Sequence, residues 1–148
     1  MAIPAFRDDG WLPDGHHSVT WEEVIAGFSG QLGSQREHVM RALLNWRDQA
    51  RRKGISGRLI LNGSFISARE NPGDFDALLI YDEDVEAICA QDTEARALLD
   101  YARCKESGFD LFAFSAAAAR KFPAWTHLDL FDRDKMTGKS KGVLEVLL

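Results

Sequence analysis

Two runs of sequence decide how this chain reads: Arg58-Leu59-Ile60-Leu61-Asn62-Gly63-Ser64 and Asp74-Phe75-Asp76-Ala77-Leu78-Leu79-Ile80-Tyr81. The first is short, apolar and closed by glycine, which predicts a buried strand over Arg58–Asn62. The second predicts a strand over Asp74–Tyr81, with Asn71-Pro72-Gly73 as the turn before it. Residues i and i+2 of a strand share a face. Asp74 and Asp76 then stand side by side, while Phe75 points into the core. Two clustered carboxylates repel, and taking them out of water is costly without a compensating charge. A divalent cation removes that cost. Mg²⁺ prefers carboxylate and phosphate oxygens, and Mn²⁺ accepts the same donors.

Gly63-Ser64 supplies the other half of a site. Glycine lets backbone approach a ligand closely, and the residues after it can start a helix. The Ser64 hydroxyl and the amides of such a turn suit phosphate oxygens. A third carboxylate is expected on a neighbouring strand. Asp110 is the candidate, because it interrupts the apolar run Phe109-Asp110-Leu111-Phe112-Ala113-Phe114, where an unpaired charge is expensive. Its expected role is metal ligand, or base toward an acceptor hydroxyl. Asp129, in His127-Leu128-Asp129-Leu130, ranks second, since that segment reads as helical.

Outward from these runs, residues 1–19 read as an irregular arm that Trp11 and Leu12 could pin to the domain. Thr20 with Glu23 has capping-box spacing and opens a helix to about Phe28. Ser34 with Glu37 opens a longer helix, in which Val39, Leu43, Trp46 and Ala50 recur at helical spacing up to Lys53-Gly54. A helix is predicted over Asp92–Lys105, a strand over Phe109–Phe114 and a short Ala-rich turn or helix over Ala116–Arg120. A further helix is predicted over Trp125–Phe131, and a terminal strand over Gly142–Leu148. The fold class expected is α+β: one domain over residues 1–148, with a small mixed sheet of about four to five strands flanked by helices.

The formal charge of -5 argues against broad nucleic-acid binding. The cluster Arg47, Arg51, Arg52, Lys53 and Arg58 reads first as solvated cations near a helix end. Cys89 and Cys104 lie in no metal-binding array. The N-terminus lacks the basic start and apolar run of a signal peptide, and no apolar segment approaches the roughly 20 residues of a membrane span. A cytoplasmic protein without a membrane partner is expected. His16, His17, Arg69, Lys139 and Lys141 are secondary candidates for contact with a nucleotide, and each is explained as well by packing or solvation. Arg120 and His127 do not form a helical pair, because Pro123 intervenes. The four tryptophans read as core anchors.

The combination of strand, Asn62-Gly63-Ser64-Phe65 and Asp74-Phe75-Asp76, with nine residues between Ser64 and Asp74, resembles the nucleotidyltransferase superfamily that includes polymerase beta and the minimal nucleotidyltransferases. A closer resemblance is to a family of small bacterial nucleotidyltransferase-like proteins. It rests on Leu12-Pro13-Asp14-Gly15-His16, Thr20-Trp21-Glu22-Glu23, Pro72-Gly73-Asp74-Phe75-Asp76, Asp110-Leu111-Phe112 and Lys141-Gly142. The resemblance implies a nucleotidyltransferase-like fold and Mg²⁺-dependent transfer of NMP from NTP to a protein or RNA hydroxyl. It also implies Gly63 and Ser64 at the nucleotide, and Asp74, Asp76 and Asp110 as catalytic, metal-binding acids. Some members of this superfamily are antitoxins or toxins, so a toxin or antitoxin partner, or a binding module without catalysis, is the alternative expectation.

Overall fold

The two apolar runs around Gly63 pair with each other at the middle of the sheet. The computed structural model describes residues 3–121 and 139–148. In chain order the elements are β1 (His16–Ser18), α1 (Trp21–Phe28), α2 (Gln35–Arg52), β2 (Gly57–Asn62), β3 (Asp76–Tyr81), α3 (Val85–Gln91), α4 (Thr93–Leu98), α5 (Tyr101–Glu106), β4 (Asp110–Ser115), α6 (Ala116–Lys121) and β5 (Val143–Leu147). A 3-10 turn, Ser64–Ile66, follows β2. The five strands form one mixed sheet in the order β1-β5-β2-β3-β4, so the fold is α+β with helices flanking the sheet.

Strand alternation divides the sheet into two faces. Leu59, Leu61, Ala77, Leu79, Leu111, Leu144 and Val146 face the main core. That core also holds Trp21, Val24 and Phe28 of α1, and Val39, Met40, Leu43, Trp46 and Ala50 of α2. On the other face Ile60, Leu78, Ile80 and Val143 form a smaller cluster, against which Phe114, Ala116 and Ala119 pack. Asp76 shares this second face with Leu78 and Ile80, and Asp110 shares it with Phe112 and Phe114. The acids therefore do not compete with the main core.

Both helix starts form as their sequences direct, with one difference. Thr20 and Glu23 make a reciprocal capping box. Ser34 accepts from the Glu37 amide at 3.1 Å, but the Glu37 carboxylate accepts from the Gly33 amide at 2.9 Å instead of closing the box. Trp21 and Trp46 anchor the core as expected, each donating its indole N–H to a backbone carbonyl, of Leu147 at 2.8 Å and Leu98 at 2.9 Å.

Four readings differ from the structure. Residues 16–18 of the arm are a strand, parallel to β5 with His16 opposite Val143. The cause is close docking. The Gly142 amide donates to the Leu12 carbonyl at 3.0 Å, and a Cβ on Gly142 would stand 2.0 Å from the Pro13 carbonyl oxygen. Leu12 is fully buried, and Lys141 lies 4.4 Å over the Trp11 ring. Second, the single helix expected over Asp92–Lys105 is two helices. Asp100 accepts from the Arg103 amide at 3.0 Å and so caps a new helix mid-segment. Third, α3 precedes them; its sequence, Val85-Glu86-Ala87-Ile88-Cys89-Ala90-Gln91, lacks a strong N-cap signal, and Asp84 makes no side-chain cap bond. The strand expected from Asp74 begins at Asp76, with Asp74 and Phe75 leading into it. The basic cluster disperses into local contacts: Arg47 and Arg51 over the Trp21 ring, Lys53 with Asp92 and Glu94, and Arg58 with Glu145. No described helix is long and apolar enough to cross a membrane.

Candidate functional site

The entry of β3 fixes the first two acids. Phe75, 1% exposed, turns away from them and stacks on Phe109, with ring centroids 4.5 Å apart and planes at 16°. Such a pair contributes about 1 kcal/mol beyond its burial. The Phe75 carbonyl accepts from the Asp110 amide at 3.2 Å. This stack and this hydrogen bond lock the starts of β3 and β4 together. The parallel register then sets Asp76 directly beside Asp110, while Asn62 of β2 lies opposite Asp76 on the other side.

Asp74, Asp76 and Asp110 meet, all half-buried, each offering a carboxylate oxygen within 4.8 Å of the others. The Asp76 and Asp110 carboxyls are in hydrogen-bond contact. Ionised carboxylates this close repel each other, and nearby positive charge offsets that cost. Oxygens around one Mg²⁺ at about 2.1 Å lie roughly 3 to 4.2 Å apart. A spread of up to 4.8 Å comes within a small side-chain adjustment of that range. The donor set, three hard oxygens and no nitrogen or sulfur, suits Mg²⁺ or Mn²⁺ better than zinc.

Gly63 presses against this cluster. Its backbone lies at φ 84 and ψ -171, a region almost restricted to glycine. A Cβ there would stand 2.5 Å from Asp76 Oδ2. Ser64 begins the 3-10 turn, and its carbonyl accepts from the Ser67 amide at 3.1 Å and the Ser67 hydroxyl at 2.7 Å. The Gly-Ser turn and the three acids are thus one neighbourhood, joined through the Gly63–Asp76 contact.

The sequence reading missed three residues. Lys105 reaches Asp110 Oδ1 at 2.9 Å, and the Tyr101 hydroxyl donates to the same oxygen at 3.2 Å. Burial pushes the Asp110 carboxyl up, but hydrogen bonds from Lys105 and with Asp76 outweigh it and hold the group below its usual range. Asp110 in turn raises the Lys105 ammonium and the Tyr101 phenol. Tyr101 and Lys105 are one helical turn apart on α5, a spacing that puts both on one face; a helix ending just before an acid-bearing strand was the available signal. The third residue is Arg36, only 9% exposed. It donates to the carbonyls of Phe65, Ser67 and Arg69, and its guanidinium lies 5.9 Å from the Phe28 centroid and 5.6 Å from the Phe65 centroid. It therefore holds the loop that follows Gly63-Ser64. Its position three before Val39 and seven before Leu43, on the apolar stripe of α2, marked it as buried.

The secondary candidates fall elsewhere. His17 Nε2 lies 2.7 Å from the Pro13 carbonyl, within the docked arm, and His16 is exposed. Arg69 lines a groove of about 480 Å³ with Phe28, Ser34 and Arg36, and none of the three acids lines it. Lys139 is exposed and Lys141 is buried against Trp11. Arg120 pairs with Glu83 at 2.9 Å. Asp129, His127, Trp125 and the helix expected around them lie outside the described residues.

Residues 4–147 match the family described as "Family of unknown function (DUF6932)". The chain belongs to this family. No curated protein and no solved structure matches the DUF6932 chain.

Proposed function

We propose that the protein is a divalent-cation-dependent nucleotidyltransferase. The observation that carries this reading is the convergence of Asp74, Asp76 and Asp110 with the Gly63 turn packed on Asp76. In the reaction, the oxygen of an acceptor hydroxyl forms a bond to the α-phosphorus of an NTP. The bond from that phosphorus to the bridging oxygen of the β-phosphate breaks, and pyrophosphate leaves with the electron pair. The hydroxyl proton passes to a carboxylate, for which Asp110 is the candidate by its place in the cluster. Asp74 and Asp76 hold the cation with Asp110, and the turn at Gly63-Ser64 holds the phosphates. A bound Mg²⁺ would supply charge stabilisation for the attacking and leaving oxygens. The acceptor is a hydroxyl of a protein side chain or of RNA.

One observation favours a second reading. Lys105 already brings a cation to Asp110, as a binding module that keeps the fold without catalysis, such as a toxin-system component, would need. The two readings separate in one experiment. The purified protein is incubated with labelled NTPs, Mg²⁺ and either RNA or the product of a neighbouring gene. Label transfer that disappears in Asp74→Ala and Asp76→Ala supports the transferase. Partner binding that needs no metal and survives both substitutions overturns it. In a thermal scan, Mg²⁺ with NTP at a hundred times its Kd adds about 2.7 kcal/mol of stability to the wild type and none to the Asp variants.

A further inference from the structure

Beside the acids lies an aromatic surface that the proposed chemistry does not use. Phe112 is two residues beyond Asp110 on β4, hence on the same face, and Tyr101 stacks on it with centroids 4.8 Å apart and planes at 25°. Large apolar side chains are normally withdrawn from water, yet Phe112 is 41% and Tyr101 43% exposed. The pair is tied to the acid cluster by the Tyr101 hydroxyl on Asp110 Oδ1. Lys105, from the same face of α5, adds an ammonium on that oxygen, with its side chain 55% exposed. The flat π surface, the cation at its rim and the metal-binding acids adjoin one another. A ligand that matches all three carries an aromatic ring and a phosphate, which is a nucleotide.

Resting on the transferase reading, we propose that Tyr101 and Phe112 form a stacking platform for a nucleobase next to Asp110. The platform is built from β4 and α5, and β4 lies across β3 from the Gly63-Ser64 turn at the end of β2. A triphosphate anchored at that turn and extending over Asp74 and Asp76 directs its nucleoside toward β4. The terminal base of an RNA acceptor, with its hydroxyl at Asp110, would reach the same surface. Both sources present the same π face, and one base–aromatic stack is worth about tenfold or more in affinity.

The test compares Mg²⁺·ATP with Mg²⁺·tripolyphosphate by calorimetry, because tripolyphosphate lacks only the nucleoside. A tetranucleotide RNA is titrated separately onto protein loaded with Mg²⁺·tripolyphosphate. Wild type is expected to bind tripolyphosphate, and to bind ATP or the RNA with at least about tenfold extra affinity from stacking. Phe112→Leu keeps an apolar side chain but loses the π face. It should erase the ATP advantage if the base is that of the NTP, or the RNA binding if it is that of the acceptor, with tripolyphosphate affinity unchanged; Phe112→Trp should restore either. If Phe112→Leu fails to fold, Phe112→Met, which also keeps apolar bulk without a π face, carries the same comparison. Unchanged ATP and RNA affinities in a folded leucine or methionine variant overturn the platform alone. Failure of the wild type to bind tripolyphosphate overturns the underlying metal-and-phosphate reading as well.

Discussion

Replacing Gly63 with alanine puts a methyl group where two constraints forbid one. The backbone at φ 84 and ψ -171 lies in a region that costs a non-glycine residue about 1–3 kcal/mol. The new Cβ would also stand 2.5 Å from Asp76 Oδ2 and 3.2 Å from its Cγ, well inside contact distance. Relief comes by rotating Asp76 away or by moving the turn, and either displaces a carboxylate from the cluster. Together these give a loss of roughly 2–4 kcal/mol. With a urea m-value of about 2 kcal/mol/M, the unfolding midpoint falls by about 1–2 M. Divalent affinity, read by calorimetry with Mn²⁺, should fall in the same variant. Gly73→Ala is the control, since nothing lies within 4 Å of its Cβ position, and its change should stay within about 0.5 kcal/mol. Asp76→Ala in the Gly63→Ala background removes the obstructing carboxylate, so the double variant should lose less than the sum of the two. A Gly63→Ala midpoint equal to that of Gly73→Ala would refute the steric reasoning. A destabilised Gly63→Ala with unchanged Mn²⁺ affinity would refute the role of Asp76 as a ligand.

Three further outcomes are expected. Arg36→Met strands the carbonyls of Phe65, Ser67 and Arg69 and should cost about 3 kcal/mol in urea unfolding; Arg36→Lys should recover only part, because an ammonium cannot fork to three acceptors, and full recovery would contradict the clamp. Asp92, held below its usual range by Lys53 and by the Ala95 amide it caps, contributes stability that is complete above its unfolded pKa of about 3.9 and lost as pH falls through the lower folded value. Asp92→Asn, which keeps a capping side chain, should flatten that acid limb of the urea midpoint; an unchanged slope argues against the pairing. Burial pushes the Cys104 thiol up to about 11, so a thiol reagent near neutral pH should modify the half-buried Cys89 first and reach Cys104 only through unfolding; equal native rates would contradict the burial.

The candidate acids were legible in the sequence because charge is conspicuous inside apolar strands. Asp76 and Asp110 each interrupted an apolar run, Asp74 stood two residues before Asp76, and burial physics made the cluster a question about compensation. Gly63 was legible for its freedom but not for its main constraint, the contact with Asp76, which exists only once β2 and β3 pair. Lys105 and Tyr101 were missed because the segment read as one continuous helix from Asp92. In fact Asp100 restarts it, and the new helix carries both side chains to Asp110. Arg36 was missed for a different reason. A cation in the first turn of a helix, near its positive pole, reads as a solvent residue, and only the apolar stripe on which it sits argued otherwise.

Why the acids meet at all comes down to register. β3 and β4 are parallel, so they cannot be joined by a tight turn and need a crossover; α3, α4 and α5 supply it. Across so long a connection the turn cannot set the pairing, and side-chain burial must. Leu111, fully buried opposite Ala77, and the Phe75–Phe109 stack do so. A slip of β4 by one residue would turn Leu111 toward the second face and drive Asp110 into the main core. That would cost the burial of a leucine, about 2 kcal/mol, and add the larger penalty of a charge buried against the main-core face of β3, Ala77 and Leu79. The correct register instead gives Asp110 the hydrogen bonds of Tyr101 and Lys105 and the contact with Asp76. The apolar residues on either side of Asp110 therefore build the site as surely as the carboxylate itself: they make the one register in which three acids share a face also the one the core prefers.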